Sequence, residues 1–106
     1  MIKIQILGHE YEVCLDEDTI LEQDVDYGLI DFDNCTIFID PRLKKTFKQE
    51  TLLHEIIEAL NYHLALKLKH DSQIVPLSES LYKVLSENKL HMFGKIIKPT
   101  SKTTSK

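Results

Sequence analysis

Thr36–Leu64, TIFIDPRLKKTFKQETLLHEIIEALNYHL, carries two hydrophobic periods on either side of a proline. Thr36-Ile37-Phe38-Ile39 is the most strand-like tetrapeptide of the chain, β-branched and aromatic throughout. Pro41 ends it, having no N–H to continue a ladder. From about Lys48 the apolar residues recur at helical spacing. Leu53, Ile56, Ile57, Leu60 and Leu64 form one stripe, with Leu52 at its edge, and helix propensity stays high to about Leu66. A strand, a short basic link and a long amphipathic helix in that order point to an α+β domain.

Working outward, Ile2, Ile4 and Ile6 alternate with polar residues, Gly8-His9 reads as a turn, and Tyr11, Val13 and Leu15 alternate again, which predicts a β-hairpin. The acidic stretch 16–28, DEDTILEQDVDYG, is weakly patterned and reads as a loop with room for one helical turn. GLIDFDNCTIFIDP holds two short apolar runs separated by Asp33-Asn34, a good turn pair. On the other side, Asp71 or Ser72 can cap a second helix, and Pro76 fits only near its start. Its predicted buried face is Ile74, Leu77, Leu81, Val84 and Leu85. Met92-Phe93 and Ile96-Ile97 are expected to pack back on the core, and the basic tail 99–106 to be disordered. The chain of 106 residues is long enough for one modest core. The expectation is a single domain over residues 1–98, a small three- or four-stranded sheet packed on a helical hairpin.

The net charge of −4 conceals a polarised chain. Residues 1–40 hold eleven acidic side chains against Lys3 alone, whereas residues 41–106 hold twelve basic and six acidic ones. Both blocks read as solvated surface, and the acidic front disfavours a nucleic-acid partner. No run of about 18 apolar residues exists, so no membrane span is expected. The start lacks the order of a secretory signal, so a cytoplasmic location is expected, with Cys14 and Cys35 as reduced strand thiols. There is no Gly-rich phosphate loop and no Cys-x-x-Cys.

The chemistry-bearing stretch is TLLHEIIEALN, Thr51–Asn61. It nearly spells His-Glu-x-x-His, with Glu58 in the fifth position. Residues four apart on a helix lie about 40° apart around the axis and one turn along it, so His54 and Glu58 project side by side, as two ligands of one metal ion do. Glu55 lies about 100° round from His54, where a carboxylate acts on a water rather than on the ion. The plain alternative is an amphipathic helix with an ordinary polar face.

GLIDFDNCTIFIDPRLKKTFKQETLLHEIIEALN followed by LSESLYKVLSENK resembles the small zincin-like proteins of bacteriophages and prophages, within the broad ImmA/IrrE-like group and often described as metallopeptidases. The likeness covers roughly residues 28–89, with TLLHE and LYKVL its most specific pieces; Glu58 is the departure from it. The resemblance implies a minimal zincin-like fold, a divalent metal and Glu55 as catalytic base. For the third ligand, His63 points to the opposite face of the helix. His70 reaches the site only if the helix stops early, because a helix running to Lys67 rises about 20 Å past His54. In a helical hairpin Glu79 falls near the level of Glu58, and in gluzincin peptidases a glutamate on the following helix takes this place. The expected metal set is thus His54, Glu58 and Glu79, with His70 as the alternative. One imidazole and two carboxylates make a hard set, which lets manganese or another divalent ion compete with zinc and acidifies a bound water less. Asn61, Tyr62 and Tyr82 are further polar candidates near the site.

Two functions follow. One is a metallopeptidase acting on a peptide or protein, with Thr36–Ile39 as the sheet edge that receives an extended substrate. The other is an inactive zincin-like binding protein that captures a host protein through its acidic N-terminal half.

Overall fold

A computed structural model describes residues 2–90. The Met92-Phe93 and Ile96-Ile97 patch, His91 and the tail 99–106 lie outside the described residues. Strands β1 (Ile2–Ile6) and β2 (His9–Leu15) form the expected antiparallel hairpin, with Ile6 opposite His9. That register makes the turn Leu7-Gly8, one residue earlier than Gly8-His9. Both residues have positive φ, 52° and 83°, the two-residue geometry whose twist matches the flanking strands. The acidic segment then folds as helix α1 (Glu17–Glu22). Asp16 caps it by accepting from the Thr19 amide and hydroxyl, and Ile20 anchors it in the core.

Strands β3 (Gly28–Asp31) and β4 (Thr36–Ile39) pair antiparallel around a tight turn. The Asp31 carboxylate accepts from the Asn34 amide and side chain there, which holds its pKa below the usual carboxylate range. Cys35 sits in this turn with φ 48°, so it is not the strand thiol expected; Cys14 is in β2. β4 also pairs parallel to β2, giving a mixed sheet in the order β1-β2-β4-β3. The most strand-like tetrapeptide is therefore interior, with Ile37 and Ile39 fully buried. The edge strands are β1 and β3, which corrects the expectation that Thr36–Ile39 forms the edge.

Helix α2 (Lys45–Leu64) lies across the sheet. It is buried well beyond the predicted stripe: Lys48, Thr51, Leu52, Glu55 and Ala59 are buried along with Leu53 and Ile57, while Leu64 is exposed. The reason is that the helix meets the sheet on one side and the C-terminal helical segment on another. That segment begins with a π-helical turn, His70–Ile74, and continues as α3 (Val75–Glu87), with Pro76 in its first turn. Neither Asp71 nor Ser72 caps it; the Gln73 side chain accepts from the Lys69 amide instead. Ile74 and Ser78 are buried against α2, and Tyr82 and Leu85 half-buried. Leu77, Leu81 and Val84, expected in the core, are 48%, 38% and 49% exposed, because α3 packs on one side only among the described residues. The protein is an α+β domain of a four-stranded mixed sheet and three helices. No described helix is long and apolar enough to cross a membrane.

Candidate metal centre

What places the site is the way α2 ends. Ala65 takes the left-handed conformation (φ 51°), and the last turn closes with Ala65 N–H on Tyr62 O at 3.3 Å and Leu66 N–H on Asn61 O at 3.1 Å. This pair of reversed bonds satisfies the final carbonyls and stops the helix. Lys67 is also left-handed (φ 62°), and the Leu68 amide donates to Asn61 Oδ1 at 2.8 Å. The chain therefore doubles back along α2 rather than continuing past it. His70 arrives beside residues 54 and 58, meeting the condition that the helix stop early.

His54 Nε2, His70 Nε2 and Glu58 Oε2 form a nearly equilateral triangle. Its edges are 3.2 Å between the two nitrogens and 3.4 Å from each nitrogen to the carboxylate oxygen. Tetrahedral ligands about 2.0–2.1 Å from one ion stand about 3.3 Å apart, so the three atoms fit one zinc-sized ion with a fourth position left for a ligand. Among the described residues these are the group that converges tightly enough to hold an ion. Glu79 lies outside the triangle; it is exposed and lines the adjoining cavity. The structure thus brings together His54, Glu58 and His70, and leaves Glu79 apart.

The ring nitrogens are oriented from behind. Ser78 is 1% exposed and its hydroxyl donates to Val75 O at 3.0 Å. Having spent its one proton there, Ser78 Oγ accepts from His54 Nδ1, 3.2 Å away, so the proton is on Nδ1 and the Nε2 lone pair faces the triangle. His70 Nδ1 donates to the Asp71 carboxylate at 2.8 Å, which turns its Nε2 lone pair inward as well. Burial, outweighing the pull of Glu58, holds the His54 pKa below its usual value and keeps the ring neutral, the form that binds metal.

Glu55 is 6% exposed and lies deeper than its neighbours. Burial, and then the negative charge of Glu58, push its pKa up to about 8. Among the described residues no hydrogen bond or ion pair reaches its carboxyl group. It lies against the edge strand at Gly28. A β-carbon there would stand 2.6 Å from Thr51 Cγ2 and 3.2 Å from Glu55 Oε2, so only glycine lets α2 approach β3 this closely. Glu55, His54 and His70 all line a cavity of about 580 Å³ bounded by residues 24–28, α2 and the start of α3.

The other polar candidates are engaged elsewhere. His63 accepts or donates at 2.7 Å to the Tyr11 hydroxyl and stacks on His9 on the opposite side of α2. Tyr82 donates to Gln49, Tyr62 stacks on Phe32, and Asn61 holds the returning chain rather than a ligand. Sequence reasoning passed over Ser78 and Gly28. Ser78 stands one residue before Glu79, and its only sequence signal is a small polar residue on the core side of α3. Compared with models of protein families, with curated proteins and with solved structures, the chain matches none.

Proposed function

We propose that the protein is a metal-dependent hydrolase, a peptidase by reaction class, in which His54, Glu58 and His70 hold the ion and Glu55 moves the proton. The observation carrying this reading is the 3.2, 3.4 and 3.4 Å triangle, the spacing of three donors around one tetrahedral ion. Two imidazoles and one carboxylate form a softer set than the one-histidine set read from sequence, which lessens the competition of manganese with zinc. An ion held there supplies Lewis acidity to a carbonyl oxygen and to a water.

The chain's own residues account for the remainder. Ser78 and Asp71 fix the imidazole tautomers, so the donor nitrogens need no reorganisation. With a cation beside it to favour the ionised form, Glu55 would accept a proton from the attacking water and return it to the leaving amine. The zincin-like resemblance of residues 28–89 supports the same assignment of Glu55.

The test is metal stoichiometry followed by turnover. After chelation and dialysis against zinc or manganese, elemental analysis is expected to find one ion per chain. His54→Ala and His70→Ala should lose it, and Glu79→Ala should keep it. Glu55→Gln should keep the ion and lose peptide hydrolysis. A parent protein that retains neither metal would end this reading.

A further inference from the structure

The cavity beside the candidate centre has walls of one charge. Asp24, Asp26, Glu50 and Glu79 line it, and among the described residues no lysine or arginine does. None of these carboxylates is in an ion pair with a basic side chain of the described residues. Burial and then the charge of Glu79 hold the Glu50 pKa above the usual range.

Acidic surface alone is common, and three further features distinguish this place. The walls enclose about 580 Å³. The rings of Tyr27 and Phe47 stack at 5.3 Å and 22° on its rim, yet remain 49% and 43% exposed, so aromatic surface faces the opening. Deep in the same cavity the buried Glu55 carboxyl has no partner among the described residues, a polar group left for something that enters. Phe47, Glu50 and His54 follow one another at spacings of three and four along α2, so aromatic, carboxylate and candidate ligand share one helix face.

We propose that this cavity receives a lysine or arginine side chain of a peptide whose neighbouring amide lies at the His54–Glu58–His70 centre. The cation sits between the Tyr27–Phe47 stack and the carboxylates of Glu50 and Glu79. An aromatic face and a pair of carboxylates each attract an ammonium or guanidinium, and together they discriminate against neutral and acidic side chains. The position of the amide rests on the hydrolase reading; the preference for a cation does not, and is measured without turnover.

The experiment is calorimetric binding to the metal-free full chain. The probes are a blocked alanyl-arginyl-alanine peptide, its citrulline counterpart of equal shape and no charge, and propylguanidine, which carries the guanidinium without a peptide backbone or a second charge. The arginine peptide should bind about tenfold tighter than the citrulline peptide, as expected for a partly desolvated cation on rings and carboxylates. In Glu50→Gln/Glu79→Gln the ratio should fall to near one, and in Phe47→Leu it should drop several-fold, with circular dichroism confirming folded protein. Equal affinity for the arginine and citrulline peptides, or a preference that survives Glu50→Gln/Glu79→Gln, overturns the pocket. Propylguanidine binding as tightly as the peptide overturns the peptide as its source. A charge preference in a protein that takes up no metal leaves the pocket standing and removes the hydrolase reading instead.

Discussion

Glu55 concentrates the chemistry of the site in one carboxyl group, and its titration gives the first prediction. With its pKa raised from 4.5 to about 8, the folded metal-free protein holds a proton that the unfolded chain has released over that interval. The contribution of Glu55 to stability therefore falls as pH rises from about 4.5 towards 8, by roughly 3–5 kcal/mol at ~1.4 kcal/mol per unit. Thermal melts of chelator-treated protein at pH 5.5 and 8.5 should show the loss, and Glu55→Gln should flatten it. A second prediction concerns Ser78, which touches no substrate and acts through His54. Ser78→Ala frees the imidazole to take the other tautomer and should weaken metal affinity about 10–100-fold. The loss should be confined to binding, with secondary structure unchanged by circular dichroism. Of these residues, His54, Glu55 and Glu58 were legible because a helix converts spacing into direction. Ser78 was not, since a hydroxyl that orients a ring 24 positions away leaves no periodic trace. Gly28 was passed over for a similar reason: the close approach of Thr51 and Glu55 that requires a glycine is a property of packing, not of the local chain.

At the level of elements, the decisive event is the stop of α2 at Leu64. Helix propensity runs on through Ala65 and Leu66, and the sequence offers no glycine to end it, so the stop was invisible and Glu79 was preferred to His70. What ends the helix is a left-handed Ala65 together with the Asn61 side chain holding Leu68. Ala65→Gly should stabilise the protein by about 0.5–1 kcal/mol, because glycine adopts that conformation without the β-carbon penalty. Asn61→Leu keeps the helix but drops the bond to Leu68. It should weaken metal binding though residue 61 is no ligand, and isothermal titration with zinc against both variants separates the two effects. Strand β4 shows the converse case. Thr36–Ile39 was legible as a strand from its composition, yet whether it stood inside or at the edge was not, since that depends on pairing with β2 across α1 and β3. The Asp40 clamp that follows β4 belongs to this scale. Its carboxylate, 4% exposed, accepts from the backbone and guanidinium of Arg42, which hold its pKa below the usual range. A depressed folded pKa contributes stability that is present above the unfolded value and lost as pH falls through the folded one. Asp40→Asn should therefore destabilise at neutral pH and lessen the acid sensitivity below pH 4, measured by urea unfolding.

Across the whole molecule, the alternation of β1 and β2, the turn between β3 and β4 and the period change after Pro41 were enough to give an α+β domain with a helical C-terminal half. The outer face of α3 was not legible, because Leu77, Leu81 and Val84 have the spacing of a buried stripe and only the absence of a covering layer among the described residues exposes them. The global arrangement also bears on how metal and folding are coupled. The three donors come from two segments, α2 and the π-helical turn, joined by a five-residue return that is held chiefly by caps and by Asn61. An ion held between them would cross-link the chain at the place where its covalent path reverses. Since the unfolded chain has no such triangle, binding free energy appears as folding free energy. At zinc concentrations about 100 times the dissociation constant the gain is ~2.7 kcal/mol. For a domain of this size that corresponds to a rise in Tm of roughly 10–20 °C. His70→Ala removes the donor on the far side of the reversal, so its melting temperature should be independent of zinc while its metal-free stability stays close to the parent's, because His70 is largely exposed. Equal zinc-dependent shifts in parent and His70→Ala, read by scanning calorimetry, would place the ion elsewhere and separate the fold from the site assigned to it.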